Sequence, residues 1–180
     1  MNPERKPLDP VVKIGLTVLV GGFLLIGGGM FLSRPDRSIP PFSIGSQQGT
    51  TVAIHVPAWT SDPEVETLIR RFRKVGRESQ DFRAMKILPT TPNDPNGYYQ
   101  HLTLYIFSSP GWTEQDKLDR YLRSLESPEE EAFRQEYQSA ARGGFAFREG
   151  STTGWLGPIP SNNINLDKQN IQVLFDEQDS

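Results

Sequence analysis

The 180-residue chain contains no cysteine. Disulfide bonds, thiolate catalysis and cysteine-ligated zinc or iron–sulfur centres are therefore excluded. Histidine is almost as scarce, because only His55 and His101 are present, and neither forms a His-x-x-x-His pair or lies at ligand spacing from an acidic residue. We therefore predict neither a metal ion nor another cofactor.

Sequence signatures of common enzymes are missing as well. The chain has no Gly-x-Ser-x-Gly, P-loop, His-Glu-x-x-His or Gly-x-Gly-x-x-Gly motif. The acidic run at 129–131 lies at the start of a predicted helix, where carboxylates complement the helix dipole. These absences favour a non-catalytic protein. A membrane-tethered enzyme or small-ligand-binding domain of another type is the alternative.

Basic residues are too few for a nucleic-acid-binding surface. The chain has 19 Lys and Arg against 22 Asp and Glu, which gives a net charge of −3. Proteins that bind nucleic acids in general carry a basic excess, because they must neutralise phosphates. We therefore predict no nucleic-acid partner.

One long apolar run is present, over residues 14–32, with nineteen residues and no charge, proline or asparagine. As a helix it is roughly 28 Å long, close to the hydrocarbon thickness of a bilayer. The run therefore predicts a single transmembrane helix that anchors the chain in a lipid bilayer. A cleaved signal peptide is the alternative, but it has a shorter apolar core of about 7–15 residues and a small-x-small cleavage site.

The charges around this run predict its orientation. Arg5, Lys6 and Lys13 precede it, and Arg34 and Arg37 follow it. Because the more basic flank stays on the cytoplasmic side, we predict a cytoplasmic N-terminus and a domain on the opposite side. Residues 1–13 are expected to form a polar tail.

Residues 33–50 are predicted to be a tether between the anchor and the domain. Pro35, Pro40 and Pro41 stiffen its first half, whereas glycine, serine and glutamine loosen the second. In the alternative interpretation, Phe42 and Ile44 pack onto the domain as an edge segment.

Residues 51–180 predict an α+β domain. Ser61 to Glu64 match a capping box, and the residues after it carry an apolar stripe at helical spacing. Alternating patterns predict strands at 51–56, 98–107 and 171–175. Short apolar segments predict further strands at 82–88 and 145–148, and two further helices are predicted between 113 and 142. This order predicts a ferredoxin-like βαββαβ unit with an extra helix and strand, in which strands 51–56 and 98–107 are parallel neighbours and helices cover one face of the sheet. The stripe consists of Val65, Leu68, Ile69, Phe72 and Val75.

Aromatic and histidine side chains are expected on the other face of that sheet. Exposed aromatic residues are typical of protein interfaces, so we predict that this face binds a protein partner. The alternatives are RNA stacking, a metal or catalytic site built on the two histidines, and a second apolar core covered by the late segment with Phe145, Trp155 and Leu156. The candidate partner-binding residues are His55, Tyr99, His101, Tyr105, Phe107 and Trp155.

A basic run lies on the first predicted helix of the domain. It is either a solvated face balanced by Glu64, Glu66 and Glu78, or a surface that attracts anionic lipid headgroups or an acidic partner. The candidate residues are Arg70, Arg71, Arg73, Lys74 and Arg77.

Three features together resemble the uncharacterised single-span membrane proteins of cyanobacteria. They are the glycine-rich anchor, the segment Pro40-Pro41-Phe42, and the Gly-Trp-Leu-Gly-Pro segment at 154–158. The resemblance implies a thylakoid or plasma membrane location near a photosynthetic complex. We therefore expect a membrane-anchored, non-catalytic accessory or assembly factor that interacts with a membrane protein complex.

Overall fold

The computed structural model describes residues 18–26, 39–88, 99–148, 151–160 and 170–178. The chain divides into two units, Met1–Arg37 and Ser38–Ser180. In the first unit, helix α1 covers residues 18–26. Among the described residues, no helix is both long and apolar enough to cross a membrane. The predicted polar tail 1–13, and residues 14–17 and 27–32 of the predicted anchor, lie outside the described residues.

The second unit is built on a sheet whose six described strands follow one another in sequence order. Strands β2 and β3 are parallel, and every other neighbouring pair is antiparallel. The strands are β1 (Ser43–Gln48), β2 (Thr51–His55), β3 (His101–Phe107), β4 (Ala141–Arg148), β5 (Ser151–Leu156) and β6 (Gln172–Gln178). The helices are α2 (Asp62–Glu78), α3 (Gln115–Ser124) and α4 (Glu131–Ala140).

Helix α2 begins where the sequence predicts it. The Ser61 backbone N–H donates to the Glu64 carboxylate at 2.8 Å, and Pro63 lies in the first turn, where its missing N–H has no cost. The predicted apolar stripe is buried along its whole length, which confirms it. Because α2 connects two parallel strands, it crosses one face of the sheet, and it packs against β4 and β5.

The main core lies between α2 and this face. Strands β2 and β3 are parallel neighbours, as predicted, and their alternate side chains meet the α2 stripe. Phe145 and Phe147 of β4 and Phe175 of β6 complete the layer. The residues supplied by β2 and β3 are Val52, Ile54, Leu102, Leu104 and Ile106.

A second core lies on the other face of the sheet, under α3 and α4. Ala53 of β2 and Phe107 of β3 point into it. The prediction that helices cover only one face is therefore wrong, because two amphipathic helices between β3 and β4 bury their apolar stripes on the opposite face. The helices contribute Leu118, Tyr121, Phe133 and Tyr137.

The strand predicted over residues 82–88 is also wrong. Residues Phe82–Met85 form a 3₁₀ turn, in which the Asp81 side chain accepts the Arg83 N–H at 3.1 Å, and Lys86 then takes a left-handed φ of 62°. The turn still buries Phe82 and Met85. The α+β class is confirmed, but a ferredoxin-like unit is not shown, because this strand is absent from the described sheet and the strand order is consecutive.

Part of the predicted tether belongs to the domain. Strand β1 pairs with β2, and Phe42 and Ile44 pack against the main core. Residues 39–48 are therefore an edge segment of the domain, as the alternative interpretation predicts. The Phe42 ring meets Phe72 edge-on, with 5.9 Å between centroids. Residues 33–38 lie outside the described residues.

Candidate functional site

Most of the aromatic residues predicted to bind a partner are structural. Phe107 is fully buried and meets Tyr137 with 4.9 Å between ring centroids. Tyr105 packs between Tyr121, at 5.7 Å, and Trp155, at 6.5 Å. The predicted open face is thus a second apolar core, but α3 and α4 cover it rather than the late segment. Of that segment, Trp155 reaches this face, whereas Leu156 joins the main core together with Phe145.

Tyr99 lies on the opposite side of the sheet from Tyr105. It packs edge-on against Phe82 at 6.0 Å, and its hydroxyl donates to the Leu88 carbonyl at 2.5 Å and accepts from the Gln47 amide at 2.8 Å. Because Tyr99 precedes β3, strand alternation does not determine where its side chain points. Tyr99 therefore joins the main core.

The two histidines do not form a site together. His55 ends β2, and its register partner on β3 is Phe107, whereas His101 begins β3 opposite Arg148. Six residues of extended strand lie between His101 and Phe107, so the two histidines are about 20 Å apart along the strand direction. His55 is half-buried and His101 is exposed. Within the described ranges, no group of three His, Cys, Asp or Glu side chains is placed to hold a metal ion.

The buried tyrosines do not supply a base. Burial raises the pKa of Tyr105 well above its ordinary value, and it also raises the pKa of Tyr121 and Tyr137. The three rings therefore stay neutral at physiological pH. Their role is to fill the second core, where Tyr121 and Tyr137 stack at 4.4 Å.

Acidic side chains pair with most of the basic run on α2. Arg70 pairs with Glu66 at 2.7 Å, and Lys74 lies 4.0 Å from Glu78. Glu64 caps the helix instead of pairing with the run. Arg71 is half-buried on the same helix. This arrangement supports the interpretation of the run as a solvated, balanced face.

Glu177 of β6 is the acid that sequence reasoning missed. It pairs with Arg73 at 2.5 Å and with Arg77 at 2.9 Å, while the Arg73 guanidinium lies over the Phe175 ring at 4.8 Å. The hydrogen bond from Arg73, together with the charge of Arg77, lowers the pKa of Glu177 below its ordinary value of 4.5. The pairing fastens the last strand to α2.

Glu177→Gln is expected to make stability less dependent on pH. Because the folded-state pKa of Glu177 is depressed, its contribution is fully present above the unfolded value of 4.5 and is lost as the pH falls through the folded value. The variant should therefore unfold more easily than the wild type at pH 7, and the difference should vanish in acid. Urea unfolding in mild detergent at a series of pH values measures this. Glu78→Gln, which removes an exposed pair at 4.0 Å, is the control and should show no such difference. A constant difference from pH 7 to acid would contradict the assignment.

One end of the sheet gathers the loops that lead into and out of the parallel pair. Ser43 is level with His55, His55 with Phe107, and Phe107 with Ala141. Helix α2 begins at this end, and helix α4 finishes there. We call it the Trp59 end. Its described residues are 39–43, 55–62, 107–110, 140–143, 156–160 and 170–172.

Among the described residues of the Trp59 end, Trp59 has the most exposed large hydrophobic side chain. It lies in the loop between β2 and α2, and 70% of its surface is accessible. Its neighbour Ala58 is also exposed. The other two tryptophans differ, since Trp112 is half-buried and Trp155 is buried.

The Trp59 end is almost free of charge. Of the described residues that form it, only Asp62 and Arg142 carry a formal charge at neutral pH, and they form an ion pair with each other. The Lys86 ammonium also reaches this end, where it lies over the Phe42 ring at 5.8 Å. Arg142 also donates to the Thr60 carbonyl at 2.5 Å and to the Ser108 hydroxyl at 3.1 Å. The guanidinium thereby connects β4 to the loops that follow β2 and β3.

The opposite end of the sheet is strongly charged. There α2 finishes, the 3₁₀ turn follows it, and Arg148 at the end of β4 faces His101. The domain thus has one nearly neutral end and one end rich in both signs of charge. The charged residues described at the opposite end include Arg77, Glu78, Asp81, Arg83, Arg148 and Glu177.

The clefts on the described surface include the following two. One, of about 300 Å³, lies at the Trp59 end between Asp62, Arg142 and Gln172. The other, of about 530 Å³, lies between Gln48 and the α3 residues Asp119 and Arg123. Neither lining contains serine, threonine, histidine, lysine or tyrosine. Their charged side chains are the carboxylates of Asp62, Asp119 and Glu126 and the guanidinium groups of Arg123 and Arg142, and the clefts are more polar than typical small-molecule sites.

Sequence reasoning missed both Trp59 and Arg142. A tryptophan in a short loop between a strand and a capped helix is a signal that could have marked Trp59. No local sequence pattern marks Arg142, because its partners Thr60 and Ser108 are distant in sequence. Comparison with protein-family models, curated proteins and solved structures finds no match to the chain.

Proposed function

We propose that the protein is a membrane-anchored, non-catalytic accessory or assembly factor that interacts with a membrane protein complex. The observation that supports this proposal most directly is the small number of residues between the apolar run and the domain. Residue 39 already packs against the main core, so only residues 33–38 remain between the run and the domain. Six residues span at most about 20 Å when fully extended. With residues 14–32 in a bilayer, the domain stays at the membrane surface.

The arrangement of the domain supports an interaction role. Both faces of the sheet are covered by helices, and the linings of the two clefts contain no serine, threonine, histidine, lysine or tyrosine. Contacts with a partner then fall on the ends and edges of the sheet rather than on the predicted aromatic face. The flanking charges favour a cytoplasmic N-terminus with the domain on the opposite side. The resemblance to cyanobacterial single-span proteins favours a thylakoid or plasma membrane.

Membrane anchoring predicts resistance to alkaline extraction. The full-length protein should stay in the membrane pellet after high-salt and carbonate washes and leave it only with detergent. The double variant Leu19→Arg and Leu25→Arg should move to the supernatant, because each central charge opposes insertion by about 2.5–3.5 kcal/mol. The control is Leu19→Ile with Leu25→Ile, which keeps the run apolar. Release of the wild-type protein by carbonate would contradict the anchor.

Purification from mild-detergent membranes tests the partner. A carboxyl-terminal tag should recover the protein with a membrane protein at a fixed ratio. A protein that runs alone and carries a bound small molecule in native mass spectrometry would contradict the proposal and favour the tethered enzyme or ligand-binding domain.

A further inference from the structure

We infer that the outer edge of β6 pairs with the same edge of a second copy of the chain, so that two antiparallel β6 strands join two sheets into one. The inference goes beyond the proposed function and does not depend on it, because it concerns the second unit alone. It assigns to the domain an interaction surface and the partner that fits it. The composition of the edge, the positions of its acids and its bulge support the inference.

The composition of β6 suits pairing with another strand. It is an outer strand of the described sheet, and among the described strands it pairs with β5 alone. Its centre, Val173-Leu174-Phe175, is apolar, and β6 contains no lysine or proline, which commonly protect sheet edges. Val173 is 48% exposed, and among the exposed large hydrophobic side chains described in the second unit it is the one that belongs to a strand. The outer N–H and C=O groups of such a strand form a template for a partner strand.

The acids of β6 lie in one half of the strand. Asp176 and Glu177 follow the apolar centre, whereas Gln172 precedes it. Parallel pairing of two copies would place each acid beside the same acid of the other copy, and like charges directly opposite each other are destabilising. Antiparallel pairing places the acidic half of each strand against the neutral half of the other. Each acid also has a partner in its own chain, since Asp176 accepts from Thr153 at 3.0 Å and Glu177 pairs with Arg73.

A bulge at Leu174 determines which faces the side chains of β6 occupy. Val173 and Phe175 have consecutive partners on β5, so Leu174 has no partner there. The bulge turns Leu174 and Phe175 to the same face, and both pack against the main core. Val173 and Asp176 lie on the opposite face, the face of Trp155.

This arrangement of faces selects one register for two copies. Antiparallel strands of identical copies are related by a two-fold axis perpendicular to the sheet, so residues opposite each other must point to the same face. One register satisfies this rule along the whole strand, and in it every acid lies opposite a neutral residue. Its pairs between copies are Val173 with Asp176, Leu174 with Phe175, and Gln172 with Glu177.

Analytical ultracentrifugation of the full-length protein in mild detergent tests the association. We expect a mass that rises from one copy to two with protein concentration, because an edge of seven residues is a small interface. Val173→Glu should weaken the association by about tenfold or more, since the axis places the new carboxylate opposite Asp176 twice. Val173→Lys is the matched control and should keep the dimer, because its ammonium lies opposite the same carboxylate. The double variant Val173→Glu with Asp176→Lys should restore association.

Disulfide cross-linking tests the register, and the absence of native cysteine makes it clean. The double variant Val173→Cys with Asp176→Cys should form covalent dimers on mild oxidation, because opposite residues of an antiparallel pair lie about 4.5–5.5 Å apart. Each single variant should stay uncrosslinked, since identical residues of the two copies are then about 10 Å apart along the strand. Near-ultraviolet circular dichroism of each variant confirms that the core is unchanged.

The other outcomes contradict the inference. A mass of one copy at all concentrations would overturn it. A dimer that Val173→Glu leaves intact, or single cysteine variants that cross-link as readily as the double variant, would place the contact on another surface or in another register. Cross-linking of these positions to a co-purified protein, with none between copies, would assign the edge to that protein. None of these results bears on carbonate extraction, which tests the proposed function separately.

Discussion

Replacing Gly144 by alanine is expected to unfold the domain or to destabilise it by about 3 kcal/mol or more, at the upper end of overpacking effects. A Cβ at this position of β4 would lie 2.7 Å from the Leu104 carbonyl oxygen, and it would overlap the Trp155 indole. The Leu104 oxygen belongs to a central strand and cannot move without breaking the sheet. The indole cannot move freely either, since it packs against Tyr105. A domain of this size has a total stability of about 5–15 kcal/mol, so the loss is a large fraction.

Thermal unfolding of the full-length protein in mild detergent, followed by near-ultraviolet circular dichroism, measures this loss. Gly111→Ala is the matched control, because its Cβ would meet only the Ser109 hydroxyl at 3.9 Å. The control should unfold at nearly the wild-type temperature. If Gly144→Ala does the same, the close packing of Trp155 over β4 is not present in solution.

Phe145→Ala is expected to cost about 3–5 kcal/mol of unfolding free energy, as is typical when a buried phenylalanine is truncated. Phe145 is fully buried on the other face of β4. Its ring lies 6.2 Å from Phe72, 6.4 Å from Phe82 and 6.4 Å from Phe175. One side chain therefore joins α2, the 3₁₀ turn and the last strand. Removing it leaves a cavity that these three elements cannot close together.

The unfolding free energy of this variant is measured by urea denaturation. Phe145→Leu should recover part of the loss, because it refills much of the volume. Leu125→Ala serves as the surface control, since Leu125 is 53% exposed and its truncation should change stability little. A small effect at Phe145, equal to that at Leu125, would contradict the placement of α2 and β6 over this ring.

Local patterns predicted the elements whose structure depends on neighbours in sequence. The capping box at Ser61 and the stripe from Val65 to Val75 identified α2, because capping and helical periodicity act within a few residues. The alternation in Val52–Val56 and in Leu102–Ile106 identified the two parallel strands and their core faces. The parallel pairing follows because a helix lies between them.

Other elements depended on distant partners. Residues 82–88 are mostly apolar and are followed by Pro89, but the Asp81 cap and the left-handed Lys86 make them a turn. Strand β5 has a Ser-Thr-Thr-Gly sequence that is typical of a loop, and it is extended because β4 and β6 pair with it on both sides. Gly143 and Gly144 directly follow the last predicted helix, and a glycine pair at that position is typical of a helix end. They belong to β4 instead, where Trp155 occupies the space that a side chain would need.

By itself, the sequence determined the α+β class, helix α2, the parallel strand pair and the absence of recognised catalytic motifs, since each of these follows from short-range pattern or composition. Only the tertiary structure decided that both sheet faces are covered, because two amphipathic helices can bury their stripes on either side of a sheet. It also decided that Trp59 shares a nearly neutral end with Asp62 and Arg142. Strand register brings these residues together across about eighty positions of the chain, and no local pattern contains that information.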